Sequence, residues 1–463
     1  MTQMKDLLYY KVRLLVPLML LPLLPLRGQR AYDMIVHNRN LSASNYCIYP
    51  DSDTWSPTPP PPGKRAFYIS HYGRHGSRYL SNRKAYDIPY GMLCKADSAG
   101  KLTATGQSVK ERLRAIIDDS EGRWGDLSSY GRSQQRHIAR RMMSHFPEVF
   151  EGDAFVDAHS SIVNRCVLSM GSAVLRMVSL NPRLRVTMSA TYRDMNYLNH
   201  QDKMLRDSMM THRARKVWDA YGTPRVHNPR LMRVLFTDTA YVSRELDERW
   251  LNYYLLKTAL IQQNTNMDRE SEFLLDLFSY EEIHAFWQTE NAWWYIGYGP
   301  TPLNGGLEPY TQRYLLRQII HDTDSILRLD TRGATLRFGH ETVLLPLACL
   351  LGLNGFDLQT ERLEELEERG WWACLVFPMA SNIQFVFYRE GPGDPDVMFK
   401  VLLNEQEATL PLPDSMAPYY RWSDFRSYYL DKLEKGESAL RLERQRVHSH
   451  LPDHSQQAVR AGW

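Results

Sequence analysis

An α/β fold, with a central mostly parallel sheet flanked by helices and a large α-helical cap insertion, is predicted by three features of the sequence. Two apolar, β-favouring runs, Ala66 to Ile69 and Ala334 to Phe338, each lead into glycine and histidine, so two strands are expected to deliver a histidine at their ends. A shorter strand pattern, Ala154 to Ala158, passes through Ser160 and Ser161 into a helical pattern, the order strand, cap, helix of a βα unit. Residues 191–326 show helical periods and no strong strand signal, which sets them apart as an insertion.

Taken in order, residues 1–28 read as a signal peptide. Lys5, Lys11 and Arg13 precede an apolar run, Leu14 to Leu26, that is too short and too proline-rich to span a bilayer. Cleavage between Gln29 and Tyr32 would leave an exported chain, periplasmic, outer-surface or secreted, with no membrane span. Residues 29–63 form a polar extension that closes on Pro57-Thr58-Pro59-Pro60-Pro61-Pro62-Gly63, a stiff linker expected to wrap over the surface. The first part of the core, 64–190, adds helical patterns at Thr103 to Ile117 and, capped by Ser128 and Ser129, up to Phe146, then a strand from Leu184 to Met188. The cap, 191–326, has helical periods at Leu246 to Ile261, Glu272 to Phe278 and Glu281 to Phe286. Asn199, His200, Lys203 and Arg206, early in it, read as solvated helix residues, with substrate contact as the less common alternative. The second part of the core is 327–432, and 433–463 reads as a polar surface tail.

Composition narrows the function. The chain of 463 residues is 43% hydrophobic and 24% charged, enough for a large core, and its net charge of +3 with no long basic run excludes a nucleic-acid partner. Five cysteines are an odd number in a chain this size. Cys166 and Cys349 fall in apolar helical patterns, and Cys47 with Cys94 is the one candidate disulfide.

The chemistry concentrates at Arg74-His75-Gly76-Ser77-Arg78 and at Phe338-Gly339-His340-Glu341-Thr342. A phosphomonoester dianion repels anionic nucleophiles, whereas a neutral imidazole can attack phosphorus while guanidinium forks neutralise the oxygens. His75 fits the nucleophile and Arg74 and Arg78 the forks. Neighbouring arginines should also depress the His75 pKa. An alkoxide leaves badly unless a carboxylic acid protonates it, and the resulting carboxylate can then activate water. Glu341 fits both steps, and His340 can donate to the phosphoryl oxygens. A metal pair of His71 and His75 is the competing reading, but Gly73 and Gly76 disfavour the helix it needs.

Arg74-His75-Gly76-Ser77-Arg78 resembles the RHGxR signature of the histidine phosphatase superfamily, in the branch of histidine acid phosphatases, phytases and multiple inositol polyphosphate phosphatases, with Leu80 where that branch has proline. Gly125 to Gln134 resembles its G-x-L-S/T-x-x-G-x-x-Q segment. Ser160 to Ser169 resembles its third phosphate-arginine motif, which makes Arg165 a substrate ligand. His340-Glu341-Thr342 stands where the branch has His-Asp or His-Ala-Glu, and Leu344 to Leu347 resembles the inositol polyphosphate enzymes. Pro378 to Phe385 and Lys400 to Asn404 are similar to its closing strands, so the likeness covers about Lys64 to Asp431. It implies an exported phosphomonoesterase working through a phosphohistidine, without metal or other cofactor, on a small phosphorylated molecule, above all inositol polyphosphates such as phytate. A broad-specificity acid phosphatase, a non-catalytic phosphate-binding protein and a phosphoglycerate-mutase-like transferase are the alternatives.

Overall fold

The computed structural model describes residues 31–50, 54–267, 274–413 and 416–449; the expected signal peptide lies outside them. Eight strands form one sheet: β1 (Arg65–Arg74), β2 (Phe155–Ser160), β3 (Arg185–Ser189), β4 (Gly333–Gly339), β5 (Asn382–Arg389), β6 (Met398–Leu403), β7 (Gln406–Ala408) and β8 (Tyr420–Arg421). Their order is β3-β2-β4-β1-β5-β6-β7, with β8 beside β6. The four strands from β3 to β1 are parallel, while β5, β6, β7 and β8 are antiparallel to their neighbours. The core is therefore parallel and one flank is not.

Alternation along β1 explains how both faces are covered. Ile69 packs with Leu336 and Val386 beneath the helices Ser129–His145 and Asn164–Leu180. Tyr68 and Tyr72 point the other way, with Phe385, Phe387 and Phe399, towards the helices Arg313–Leu329, Glu341–Leu351 and Trp422–Ser449. In register, Arg74 at the end of β1 lies beside Gly339 at the end of β4. The next residues in each strand are His75 and His340.

Between β3 and β4 the described residues contribute helices and no strand to the sheet. Two of them, Glu248–Ile261 and Tyr280–Tyr298, share an apolar core with the helices Lys84–Ser98 and Ala104–Ser120 and with Ala31–His37. Ser128 caps its helix as expected, accepting from the Gly131 amide, and Thr103, where the first helical pattern begins, caps that helix by accepting from the Gly106 amide.

Four expectations are revised. Ser160 and Ser161 do not cap the helix Asn164–Leu180, whose N-cap is Val163; β2 runs on to Ser160 and leaves Ser161 at its mouth. Cys47 and Cys94 are both free, and Cys47 instead lies against Cys374. The proline-rich linker lies outside only in part: Thr58 is exposed and hydrogen-bonded to Glu407, Pro61 is buried, and upstream Ser42 to Cys47 and Tyr49 are buried too. Residues 433–449 of the expected tail continue the helix Trp422–Ser449, because Leu433 and Leu440 keep its apolar spacing and are buried; the rest of the tail lies outside the described residues.

Arg141 locks this arrangement. Its guanidinium meets Glu405 at 2.7 Å with both side chains buried, and Glu405 also accepts from Tyr49 at 2.8 Å, so helix, sheet and N-terminal extension share one carboxylate. Arg141→Ala would strand that charge and is expected to cost about 3–5 kcal/mol in urea unfolding. A loss within ±0.5 kcal/mol would contradict it.

Candidate active site

The site forms where two parallel strands end, the position at which α/β sheets hold ligands. The turn after β1 is fixed by backbone contacts. The His75 amide donates to the Gly339 carbonyl at 3.0 Å and the His75 carbonyl accepts from Ala380 at 3.0 Å. Gly76 has no room for a side chain, since an added Cβ would lie 2.3 Å from the Gly131 carbonyl oxygen. Ser169 Oγ accepts from the Gly76 amide and Gln134 Oε1 from the Ser77 amide. Leu80, at the position of the expected proline, donates its amide to the Tyr86 hydroxyl at 3.2 Å. A proline there would lose that bond, so hydrogen bonding replaces ring stiffness in holding the turn.

His75 is completely buried. Its Nδ1 lies 2.9 Å from the Gly76 carbonyl and must donate to it, which leaves the lone pair on Nε2. Nε2 has no hydrogen-bond partner and lies 3.6 Å from Glu341 Oε2. Burial, opposed by the adjacent Glu341 carboxylate and reinforced by the Arg74 and Arg165 charges, holds the imidazole well below its ordinary pKa. Desolvation thus outweighs the arginines as the cause.

Arg74 is equally buried. Nη1 donates to the Asn45 and Phe377 carbonyls at 2.7 and 2.6 Å, while Nη2 faces Glu341 Oε1 at 3.1 Å. Arg78 Nη2 approaches the same oxygen at 3.7 Å, and Nε of Arg74, Arg78 and Arg165 are all buried without a partner. Arg165 is lowered by burial and then by the charge of Arg78. The His340 ring stands 5.7 Å from that of His75, centroid to centroid, with Nε2 3.2 Å from Ser161 Oγ. Burial brings His340 down to about 4. Burial alone would raise Glu341, but Arg74, the neighbouring His75 and Arg78 overcome it and hold the carboxyl well below its usual value.

All six residues singled out in the sequence, Arg74, His75, Arg78, Arg165, His340 and Glu341, therefore meet. Nitrogen and oxygen donors of His75, His340 and Glu341 lie within 4.8 Å of one another, a spacing that could hold a metal. Three converging guanidiniums make the same space favourable to an anion and hostile to a cation. His71 is elsewhere: it lies under the sheet with Gln135, Met142 and Phe338. Of the four residues weighed early in the insertion, Asn199 contacts Gln201, His200 packs on Tyr314 and Lys203 pairs with Asp207. Arg206 stands in the last turn of the helix Lys203–Ser208, and the Tyr298 hydroxyl is pushed up to about 12 by burial and the Glu341 charge.

Sequence reasoning missed two contacts. Ser161 was expected as a cap, and Asn45, which donates to Glu341 Oε1 at 3.2 Å, lies in a stretch with no periodic signal.

A buried histidine among guanidiniums at the strand ends of an α/β sheet defines an enzyme that handles phosphate. Residues 73–404 match the histidine phosphatase superfamily (branch 2); the chain belongs to that family and is a phosphatase. It is 23% identical to multiple inositol polyphosphate phosphatase 1 of Homo sapiens over 409 residues, 81% of each chain. The Gallus gallus protein of the same name is also 23% identical, over 78% of this chain and 80% of its own. The Bifidobacterium longum multiple inositol polyphosphate phosphatase, solved in complex with inositol hexasulfate, superposes with a TM-score of 0.70 at 17% identity, covering 84% of this chain and 97% of that one. The phytase from D. castellii gives 0.62 at 13% identity over 85% of each.

Neutral burial of histidine has a measurable cost. His71, His75 and His340 all have folded-state pKa values below the ordinary 6.5, His71 and His340 at about 3 and about 4. Protons therefore bind the unfolded chain first, and stability falls as pH drops below 6.5. His71→Phe removes one such group outside the site. The fall in urea midpoint between pH 6.5 and 4.5 should be shallower in that variant, and an unchanged slope would contradict the assignment.

Proposed function

We propose that the protein hydrolyses phosphomonoesters through a phosphohistidine on His75, with inositol polyphosphates as its substrates. The observation that carries this is the unpartnered, unprotonated Nε2 of His75, facing a carboxylate under three guanidiniums. Arg74, Arg78 and Arg165, with His340, would hold the phosphoryl oxygens. Nε2 attacks phosphorus as the ester P–O bond breaks, and Glu341 gives its proton to the departing oxygen. The carboxylate then takes a proton from water, whose oxygen displaces Nε2; as phosphate leaves, with His75 neutral again, Glu341 gives that proton to solvent and returns to the carboxylate.

Glu341 begins this cycle as a carboxylate, so substrate must charge it. A bound phosphate dianion competes for Arg74 and Arg78 and adds a like charge beside the carboxyl; both effects raise its pKa and recruit the proton it will donate. The inositol reading draws on the names of the relatives and on the motif likeness. The basic, then apolar, start of the chain supports export.

Phosphate release from inositol hexakisphosphate and from an aryl phosphate, each with chelator present, tests the proposal. His75→Ala is expected to fall to background, and Glu341→Gln to slow inositol hexakisphosphate by about 10²–10⁴. Full turnover by His75→Ala would overturn the nucleophile. Equal or better cleavage of the aryl ester would make the protein a broad phosphatase, and cleavage of neither would favour a binding protein.

A further inference from the structure

The two oxygens of Glu341 have different surroundings. Oε1 accepts from Asn45 Nδ2 at 3.2 Å and lies 3.1 Å from Arg74 Nη2 and 3.7 Å from Arg78 Nη2. Oε2 is the oxygen beside His75 Nε2, at 3.6 Å. A protonated carboxyl puts its hydrogen on the oxygen that faces fewer donors, because a hydrogen on Oε1 would point at the N–H groups already aimed there. The proton of Glu341 is thereby directed to Oε2, on the side where a phosphoryl group joined to Nε2 parts from its leaving oxygen.

Of the donors on Oε1, the two guanidiniums are those an incoming phosphate claims. The Asn45 amide is neutral and less drawn to that dianion. Only its nitrogen can donate to a carboxylate, which settles the amide's orientation. Its backbone is held from three directions. The Asn45 carbonyl accepts from Arg74 Nη1 at 2.7 Å, the Tyr46 carbonyl from Asn264 Nδ2 at 2.7 Å, and the Cys47 carbonyl from the Met379 amide at 2.8 Å. The side chain therefore meets Glu341 from a fixed base.

We infer that Asn45 is a positioning residue whose amide keeps Oε1 of Glu341 unprotonated and so aims the acid proton, on Oε2, at the leaving group. The inference rests on the proposed acid role of Glu341.

A leaving-group comparison tests it. kcat/KM reports events up to P–O cleavage, before water is used, and p-nitrophenolate departs without a proton whereas an alkoxide does not. Asn45→Ala keeps the backbone contact to Arg74. It is expected to lower kcat/KM for the alkyl esters inositol hexakisphosphate and glycerol 2-phosphate about tenfold or more, and for p-nitrophenyl phosphate less than about threefold. Asn45→Asp is nearly isosteric, removes the donor and adds a like charge. It should move the alkaline limb of the alkyl-ester profile to higher pH. Equal losses on both ester types would assign Asn45 a structural role and overturn the inference, as would no loss on either. Glu341→Gln, run beside them, separates the two claims. If it too fails to distinguish the esters, the acid role of Glu341 falls; if it distinguishes them and Asn45→Ala does not, only the positioning role falls.

Discussion

The parallel pairing of β1 with β4 is the contact on which the rest of the site depends. It sets Arg74 opposite Gly339, so one residue further along each strand the chain supplies His75 and His340 side by side. Because side chains alternate across a sheet, a one-residue slip would exchange the faces of the whole strand, putting Tyr68 and Tyr72 where Ile69 and His71 now pack. Both faces of β1 are buried, so that slip is opposed along its length and not only at the mouth. The core that fixes the register thereby fixes the distance between the two imidazoles.

Electrostatics then works against folding at this point. Arg74 and His75 have no exposure to water, and the partners of Arg74 are two backbone carbonyls and one carboxylate. Several N–H groups remain unsatisfied. Such groups are costly in an ordinary core, and they persist where a ligand completes them. In the free protein Glu341 partly fills that role, standing between Arg74 and Arg78 where an anion would. The carboxylate is thus a partial substitute for the anion that these guanidiniums would otherwise bind.

Much of this was legible in the sequence because it is local. The strand runs, the glycines that allow close approach, and the caps at Thr103 and Ser128 are encoded within a few residues, and the six charged or imidazole side chains lie in compact motifs. Leu80 was legible as a departure but not as a solution: its amide bond to Tyr86 depends on how a neighbouring helix docks. Asn45 and Ser161 were hidden for the same reason. Each acts on a residue far along the chain, and neither short polar side chain differs in its sequence neighbourhood from one that merely caps or faces solvent. The tail was misread because two leucines, Leu433 and Leu440, are too few to outweigh its many charges until the groove that receives them is known.

The contact between Asn45 and Glu341 spans 296 positions of the sequence. Arg74 likewise waits for the carbonyl of Phe377, and its amide for that of Ser381. Translation runs from the N-terminus, so Asn45 and Arg74 are made well before the Phe377 and Ser381 carbonyls that hold Arg74. A chain still short of those residues carries His75 without its cradle. The pocket can therefore close only once β5 has been reached, and before then a phosphate ester meets no finished site.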